Sequence, residues 1–329
     1  MTAPVPMVEL WRSGRMESRH LGHAVICDPQ GRIVEGWGNP AEIIYPRSSC
    51  KMIQALPLLE TGAGAGLTPR QLALTCASHQ GAALHVGAVG RWLADMGLTE
   101  ADLRCGTHEP YDREERDRLI CAHEPPCQLH NNCSGKHAGF LMLNRHLGGD
   151  PDYVEPDHPV QRAVRQAFEE VTGEPSSGYG IDGCSAPNFA TSLAGLARAM
   201  AGFAAATGTG DARDRAMAAL TRAMMAHPEM VAGETRACTE LMRAMDGAAA
   251  IKTGAEAVFV AILPRQRLGL ALKIADGGTR ASEAAVVALL ARLGVLDPAH
   301  PAAQRRLGAP LTNWRGKVTG EMRLAAGFP

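Results

Sequence analysis

Residues 45–54, Tyr-Pro-Arg-Ser-Ser-Cys-Lys-Met-Ile-Gln, mark the point where an extended pattern gives way to a helical one. Pro46 ends the extended segment, and apolar residues at helical spacing follow it. Ser48 is therefore predicted at or near a helix start, with Lys51 three residues on and on the same face. A serine becomes a nucleophile when a base takes its proton. A lysine can be that base when its surroundings favour the neutral amine.

Ser-x-x-Lys also occurs by chance, and the alternative is an N-cap serine with a surface lysine. Lysine is scarce here, however: only five of the 33 Lys and Arg residues are lysines. Arginine supplies surface charge but cannot deprotonate, so a lysine in this chain is expected at positions where loss of the proton is needed. Far along the chain, Lys252-Thr253-Gly254 completes the order Ser-x-x-Lys to Lys-Thr-Gly of penicillin-recognising serine hydrolases. Lys252 would add positive charge near the nucleophile. The usual Ser-x-Asn or Tyr-x-Asn between the two motifs is absent.

Composition narrows the class of protein. The chain has 329 residues, enough for one large domain, and a formal net charge of −1, which gives no electrostatic case for nucleic acid or an anionic membrane. We find no apolar run long enough to span a bilayer and no signal-peptide pattern in residues 1–20. Nine scattered cysteines favour reduced thiols in a cytoplasmic protein, with some available to bind metal.

The pattern along the chain predicts an α+β fold in one catalytic unit spanning residues 1–329. Sheet-forming segments are expected at about 1–45 and 250–329, flanked by helices, and a mostly helical region is expected at about 46–249. Strands are predicted at 7–12, 23–28, 32–37, 257–263, 268–274 and 316–322. The main helices are predicted at 72–77, 84–96, 114–121, 135–147, 158–172, 193–206, 211–227 and 279–293. Lys252-Thr253-Gly254 is expected just before the strand that starts at residue 257. These segments together predict one antiparallel sheet built from the two ends of the chain.

Three stretches of the middle region carry further candidates. Ser78, at a helix-to-loop junction, could relay protons for the Ser48 site or simply end a helix. Residues 130–139, dense in polar side chains and glycines, suit a substrate pocket at a helix N-terminus, or an exposed capped helix. Asp182, in a tight loop, could bind a cationic amine or merely form an Asx-turn. Cys and His lie at ligand spacing between residues 105 and 137, but no Cys-x-x-Cys pair makes spacing alone decisive for zinc.

These motifs together resemble the L-asparaginase II family, the rhizobial-type or class 3 asparaginases. The resemblance runs from about residue 7 to the C-terminus. The most specific block is 129–140, Leu-His-Asn-Asn-Cys-Ser-Gly-Lys-His-Ala-Gly-Phe. The other matching stretches are Pro46-Arg47-Ser48-x-x-Lys51, Ala77-Ser78-His79, Asp157-His158-Pro159-Val160-Gln161, Asp182-Gly183-Cys184-Ser185, Ala226-His227-Pro228-Glu229 and Lys252-Thr253-Gly254-Ala255-Glu256.

The resemblance implies a fold similar to glutaminases and serine β-lactamases, a homodimer, and hydrolysis of L-asparagine to L-aspartate and ammonia. It implies two serine–lysine pairs, Ser48 with Lys51 and Ser78 with Lys252. It also implies a zinc ion beside the substrate, held by two cysteines and a neutral lysine. By motif these ligands are Cys133, Lys136 and Cys184.

We therefore expect Ser48 to attack the side-chain amide of asparagine while Lys51 moves the proton. A zwitterionic substrate needs a cation for its carboxylate and an anion for its amine, and Arg47 and Asp182 are the candidates. His137 and Asn132 are expected nearby. Two alternatives stay open at this point: a serine hydrolase acting on β-lactams or peptides, and a non-catalytic amino-acid-binding sensor.

Overall fold

The computed structural model of the protein describes residues 3–308 and 310–329. The chain divides into two compact units. The sheet unit consists of the residues up to Ser49 together with Ser192–Ala205 and Glu240–Pro329. The helical unit consists of Cys50–Thr191 and Ala206–Thr239. That the whole chain works as one catalytic unit stays a prediction.

The elements are numbered here in chain order. The strands are β1 Val5–Arg12, β2 Arg15–Cys27, β3 Ile33–Trp37, β4 Ile43–Ile44, β5 Tyr179–Ile181, β6 Pro187–Phe189, β7 Thr191–Ser192, β8 Ala250–Thr253, β9 Val258–Leu263, β10 Leu268–Ile274, β11 Pro310–Thr312 and β12 Val318–Leu324. The helices are α1 Lys51–Gln54, α2 Leu56–Glu60, α3 Pro69–Thr75, α4 Ala83–Asp95, α5 Arg113–Ala122, α6 Ser134–Leu147, α7 Pro159–Thr172, α8 Leu193–Ala205, α9 Ala212–Ala226, α10 Pro228–Ala232, α11 Ala237–Ala244, α12 Thr279–Arg292 and α13 Pro301–Leu307.

The sheet unit contains an antiparallel sheet with the strand order β11-β12-β1-β2-β10-β9-β8, and β3 pairs with β2. N- and C-terminal strands are neighbours at two places: β1 lies beside β12, and β2 lies beside β10. This confirms the predicted α+β class and the sheet built from both ends of the chain. β1 and β2 are joined by Ser13-Gly14, both at positive φ, which is the backbone of a two-residue hairpin turn.

The core of the sheet unit lies around β9 and β10. Every residue of β9, Val-Phe-Val-Ala-Ile-Leu, is buried, as expected for a strand covered on both faces. Helices α8 and α12 both pack against β9 and β10. Gly269 lets α8 approach, because a Cβ there would lie 2.0 Å from the Ala201 nitrogen. Apolar burial at about 25 cal/mol per Å² thus holds these helices on the sheet.

Two predicted strand starts were wrong, and one strand was not predicted. Lys252 and Thr253 precede β9, as expected, but they also lie on a strand of their own, β8, which pairs with β9. The sequence does not predict β8 because Lys252 interrupts the run of apolar residues that indicates a buried strand. β2 starts at Arg15 rather than residue 23, and β12 starts at Val318 rather than residue 316. The first half of β2 is exposed on most of its residues, which removed the hydrophobic signal.

The helix predicted from Ser48 is interrupted. Arg47–Cys50 form a 3-10 turn, α1 follows directly, and α2 starts after Ala55. Pro57 lies in the first turn of α2 and has no N–H, so a continuous α-helix would lack the bond from residue 57 to Ile53. Ser48 therefore lies in the turn before α1, where the chain passes from the sheet unit into the helical unit.

Helix α6 is the centre of the helical unit and packs against α2, α3, α4 and α7. Its first ten residues, 134–143, are buried except for residue 142. Gly135 permits the contact with α3, since a Cβ at this position would lie 2.5 Å from the Leu74 carbonyl oxygen. The block of sequence with the most specific resemblance therefore includes a buried helix start.

Candidate active site

The turn that carries Ser48 belongs to the sheet unit and is held by its own hydrogen bonds. The Ser49 N–H and hydroxyl both donate to the Pro46 carbonyl, at 3.2 and 2.7 Å. Arg47 has a φ of +54°, in the left-handed region that non-glycine residues rarely adopt. Backbone strain of this kind is concentrated at functional sites. The partly buried Ser48 is thus presented by a tight and strained turn.

Strand β8 brings the Lys-Thr-Gly motif to the same turn. A Cβ at Gly254 would lie 2.6 Å from the Pro46 carbonyl oxygen and 3.1 Å from the Ser49 nitrogen, so only glycine permits this approach. Lys252 is fully buried, and its Nζ donates to the Thr253 carbonyl at 2.7 Å. The fold of the sheet unit therefore places two motifs that are far apart in sequence against each other.

Lys51 is a buried lysine of the helical unit, with 1% of its surface exposed. Its Nζ donates to the Ser78 hydroxyl at 3.0 Å, to the Cys133 sulfur at 3.1 Å and to the Ala77 carbonyl oxygen. A buried amine needs such acceptors, because desolvation without hydrogen bonds is costly. None of these three acceptors is a carboxylate. Lys51 is therefore positioned to exchange protons with a hydroxyl rather than to form an ion pair with an acid.

Ser78 follows α3 in a loop that is tied to the start of α6. The His79 N–H donates to the Asn132 carbonyl at 3.2 Å. The His79 Nδ1 accepts the Gly81 N–H at 3.1 Å, so Nε2 carries the ring proton. Nε2 then donates to the Ser134 hydroxyl at 2.9 Å. These bonds fix the position of the Ser78 loop relative to the polar block 130–139.

Cys133, Lys136 and Cys184 form a buried cluster in the helical unit. The Lys136 Nζ donates to the Cys184 sulfur at 3.1 Å. A hydrogen bond from the Cys133 thiol, and the nearby Lys136 charge, hold the pKa of Cys184 well below its usual range although burial opposes this. Burial also opposes the charge of Lys136, but the Cys184 and Cys133 sulfurs raise the pKa of its ammonium. Both shifts favour a thiolate on Cys184 beside an ammonium on Lys136.

His137 is fully buried behind this cluster. The Tyr153 oxygen accepts the Arg104 N–H at 2.8 Å and is 2.9 Å from the His137 Nδ1, to which its O–H donates. The ring proton is then on Nε2, which faces the Cys184 sulfur. Burial lowers the pKa of His137, while a hydrogen bond to Cys184 opposes that shift. A neutral imidazole N–H thus lies next to the sulfur cluster.

The two remaining candidates of the helical unit lie close to the same cluster. The Asn132 Oδ1 lies 2.9 Å from the Cys133 sulfur. Asp182 lies in the turn between β5 and β6, where its Oδ1 accepts the Gly183 N–H at 2.8 Å. Its carboxylate is also near enough to contribute to the raised pKa of Lys136. Asp182 therefore shapes its own loop and adds negative charge to the cluster.

The predicted residues are distributed over both units. The sheet unit holds Arg47, Ser48 and Lys252, and the helical unit holds Lys51, Ser78, Asn132, Cys133, Lys136, His137, Asp182 and Cys184. Within the helical unit the observed serine–lysine contact is between Lys51 and Ser78. The pairings Ser48–Lys51 and Ser78–Lys252 stay predictions.

Sequence reasoning missed two residues that position this site. Tyr153 orients His137, and its only sequence signal is an aromatic residue in a polar loop of a chain with 4% aromatic residues. Asn131 Nδ2 donates to the Cys105 carbonyl at 2.8 Å, and its Oδ1 accepts the Cys133 N–H at 2.9 Å. Asn131 lies inside the recognised block, but the sequence spacing does not reveal that its side chain connects Cys105 to Cys133.

Two features are absent from residues 3–308 and 310–329. No group of three or more His, Cys, Asp or Glu side chains in these ranges is arranged to hold a metal ion. The Cys133–Lys136–Cys184 set has two sulfurs and an amine, so it is not a group of that composition. None of the helices in these ranges combines the length and the apolarity needed to cross a bilayer.

A model of the L-asparaginase II family matches residues 8–324, and the chain belongs to this family. The predicted resemblance is thereby confirmed, and it supports an amidohydrolase-type function. Among curated proteins no match was found.

Solved structures show distant similarity to the chain. Mglu is 13% identical with a TM-score of 0.47, over 84% of this chain and 67% of Mglu. A beta-lactamase from Mycobacterium bovis is 14% identical with a TM-score of 0.47, over 84% of this chain and 95% of its own. The D-alanine carboxypeptidase AmpC from Burkholderia cenocepacia is 12% identical with a TM-score of 0.39, over 80% and 90% of the two chains.

Proposed function

We propose that this protein is an L-asparaginase that hydrolyses L-asparagine to L-aspartate and ammonia through a serine-bound acyl intermediate. Family membership supports the reaction class. The single structural observation that carries the mechanism is Lys51, a buried lysine that donates to a serine hydroxyl, a thiol and a carbonyl. A lysine in such surroundings can work as a general base in its neutral form.

In the proposed reaction the Ser48 oxygen attacks the side-chain amide carbon of asparagine. Neutral Lys51 takes the hydroxyl proton and passes it to the departing nitrogen, which leaves as ammonia. Backbone N–H groups at the helix start, other than that of Ser49, would stabilise the oxyanion of the tetrahedral intermediate. Water then cleaves the aspartyl ester, with Lys51 taking the proton of the water and returning it to Ser48.

Ser78 and Lys252 have supporting roles in this proposal. The Ser78 hydroxyl accepts a hydrogen bond from Lys51, so it can relay a proton to or from that amine. Lys252, fully buried, contributes positive charge that favours the neutral form of a neighbouring amine. Both residues therefore act on the protonation of Lys51 and not on the amide carbon.

Recognition of asparagine requires opposite charges for its two α-groups. We assign the α-carboxylate to Arg47 and the α-ammonium to Asp182, because these are the charged candidates of the recognised motifs. Asn132 would add hydrogen bonds to the substrate. His137 is fully buried and bonded to Tyr153, so its role would be to hold the site in shape.

Cys133, Lys136 and Cys184 would hold the zinc ion that the family implies. The donor types fit, since zinc binds thiolate sulfur and uncharged nitrogen. The Nε2–H of His137 fits as well, because it interacts with the Cys184 sulfur, and groups around a metal site commonly donate to its ligands. Lys136 would have to lose its proton on binding, which a metal charge enforces. A zinc ion there would supply a fixed positive charge.

The test is ammonia release from L-asparagine and L-glutamine, measured in parallel with hydrolysis of the β-lactam nitrocefin. Release from asparagine, lost in the Ser48→Ala variant, is the expected result. A folded wild-type protein that releases no ammonia from either amide would overturn the proposal. Nitrocefin turnover without ammonia release would favour a β-lactam hydrolase, and tight asparagine binding without turnover would favour a sensor.

The homodimer and the cytoplasmic location are further proposals. The first rests on the family resemblance and the second on the number of cysteines. Light scattering on the purified protein measures the mass of the assembly, with a dimer as the expected result. Cell fractionation measures the location.

A further inference from the structure

A second set of titratable side chains lies in the helical unit and takes no part in the proposed reaction. The Cys127 sulfur is 3.3 Å from the His130 Nδ1, and the His130 Nε2 is 3.3 Å from the Glu115 Oε1. His130 and Glu115 are 5% and 6% exposed. The three side chains thus form a thiol–imidazole–carboxylate chain that ends at Cys127, a partly exposed residue.

The hydrogen bonds define the direction of proton movement along this chain. The Cys127 backbone N–H donates to the His130 Nδ1 at 3.0 Å, so Nδ1 is the acceptor and Nε2 carries the proton. Nε2–H donates to Glu115. The Cys127 sulfur is 3.3 Å from the same Nδ1, which has a single lone pair, so transfer of the thiol proton to Nδ1 displaces the Cys127 backbone N–H from it. The His130 backbone N–H donates to the Cys127 sulfur. The base and the stabilising donor therefore act on the same sulfur atom.

Glu115 is kept in its charged form by a third residue. Arg118 donates to both oxygens of Glu115, at 2.8 Å to Oε1 and 3.2 Å to Oε2. Hydrogen bonds from Arg118 lower the pKa of the Glu115 carboxyl, with burial opposing and His130 adding to the shift. A permanent carboxylate at Nε2 stabilises the imidazolium that forms when His130 takes the thiol proton.

The chain also contains a natural comparison. All nine cysteines, which lie within the described ranges, carry thiols rather than disulfides, and seven of them are buried. Cys121, on α5, is exposed and has no side-chain hydrogen bond within the described ranges. Accessibility alone would make Cys121 the fastest thiol to react. Activation by a base would instead favour Cys127.

We propose that Cys127 is a reactive thiol and a modification site that takes small disulfides. His130 accepts the thiol proton, and the sulfur of Cys127 attacks one sulfur of the disulfide. A new bond forms between Cys127 and that sulfur while the old disulfide bond breaks. The other half leaves as a thiolate and takes the proton back from His130, so no further oxidant is required. This inference does not depend on the asparaginase proposal.

The experiment treats the full-length protein with a limiting amount of the chromogenic disulfide of thionitrobenzoate near neutral pH. Acid stops the reaction at intervals, and mass spectrometry of the digested protein gives the modified fraction of each cysteine. Cys127 is expected to react about tenfold faster than Cys121, or more, in line with general-base assistance. His130→Gln should bring the Cys127 rate to or below that of Cys121, and Glu115→Gln should give an intermediate rate.

Two outcomes would overturn the proposal: a Cys121 rate equal to or above that of Cys127 in the wild type, or a Cys127 rate unchanged by His130→Gln. The seven buried cysteines report on folding, because they would all become reactive if a variant unfolded. The wild-type comparison of Cys127 with Cys121 needs no variant, so a poorly folded variant leaves the test decisive.

Discussion

The Lys51 Nζ lies 3.0 Å from the Ser78 Oγ, although the two residues are 27 positions apart in the chain. The sequence motif pairs Lys51 with Ser48, and the family pairs Ser78 with Lys252. The observed contact links the two predicted pairs through one lysine. Ser48 is related to Lys51 by its spacing in the sequence, and Ser78 is related to Lys51 by a hydrogen bond. Separate substitutions of the two serines distinguish their roles.

Ser48→Ala is expected to lower kcat/KM for asparagine by about 10³-fold or more, because the nucleophile is lost. Ser78→Ala is expected to cost about 10²-fold, as for a group that only assists proton transfer. Ammonia release gives the rates, and far-UV circular dichroism checks the fold of both variants. If Ser78→Ala were inactive while Ser48→Ala kept its activity, the nucleophile would be Ser78.

Lys51→Arg tests whether Lys51 must lose its proton. Arginine keeps the positive charge but stays protonated, so kcat should fall by about 10²–10⁴-fold. Lys273→Arg is the matched control: Lys273 lies on β10, where its Nζ donates to the Glu256 and Ile274 carbonyls. Its activity should stay within about twofold of wild type, as for sites away from the chemistry.

Because arginine is larger than lysine, Lys51→Met provides a second variant of similar length. Loss of activity in both Lys51 variants with a native circular dichroism spectrum supports the general-base role. An active Lys51→Arg enzyme would show that a permanent cation suffices and would remove Lys51 as the base.

Cys184→Ser is expected to remove bound zinc from the protein. Serine is a much weaker zinc ligand than a cysteine thiolate, so the metal content should fall from about one ion per chain to near zero. Cys238→Ser is the control, since Cys238 is also a buried cysteine of the helical unit but lies outside the cluster. Elemental analysis after gel filtration measures the zinc. Equal zinc content in the two variants would contradict the assignment of Cys184 as a ligand.

Gly254→Ala is expected to disturb the turn that carries Ser48. Its Cβ would lie 2.6 Å from the Pro46 carbonyl oxygen, so strand or turn must move, at a cost of about 1–3 kcal/mol. A displaced nucleophile should lower kcat by about 10²-fold. Gly308→Ala, where a Cβ meets no atom within 4 Å, should leave kcat unchanged. An active Gly254→Ala enzyme with normal stability would show that this contact does not position Ser48.

His85 makes the folded protein sensitive to acid. It is fully buried, stacks on His79 with ring centroids 4.6 Å apart, and donates from Nε2 to the Glu229 carbonyl at 2.9 Å. Burial lowers the pKa of His85 below 6.5, so the unfolded chain binds its proton first as the pH falls. The neutral, buried His85 therefore costs the folded protein no stability above about pH 6.5. Below that pH the free energy of unfolding falls, by at most about 1.4 kcal/mol per pH unit.

Urea unfolding at several pH values between 7 and 5 measures this effect, in steps chosen around the usual histidine pKa of about 6.5. His85→Gln keeps a side-chain N–H donor but does not titrate, so its free energy of unfolding should fall less steeply with acid. His146→Gln, at an exposed position, should keep the wild-type slope. A wild-type slope in His85→Gln would contradict the role of His85.

Much of the fold could be read from local patterns. Helices α4, α6, α8 and α12 lie within one residue of their predicted ends, because their apolar residues repeat at helical spacing over three or more turns. β8 was missed because Lys252 is a charged residue in a buried strand. The break between α1 and α2 was missed because the apolar stripe continues across Pro57, and only the missing N–H ends the helix.

The sequence by itself determined the α+β class, the family and the residues of the candidate site, since strand and helix periodicity and the 129–140 block are properties of neighbouring residues. Only the tertiary structure decided that Lys51 touches Ser78 and Cys133, that Tyr153 orients His137, and that Cys127, His130 and Glu115 form a chain. Contacts between residues far apart depend on how helices and loops pack, and on which polar atoms that packing buries together.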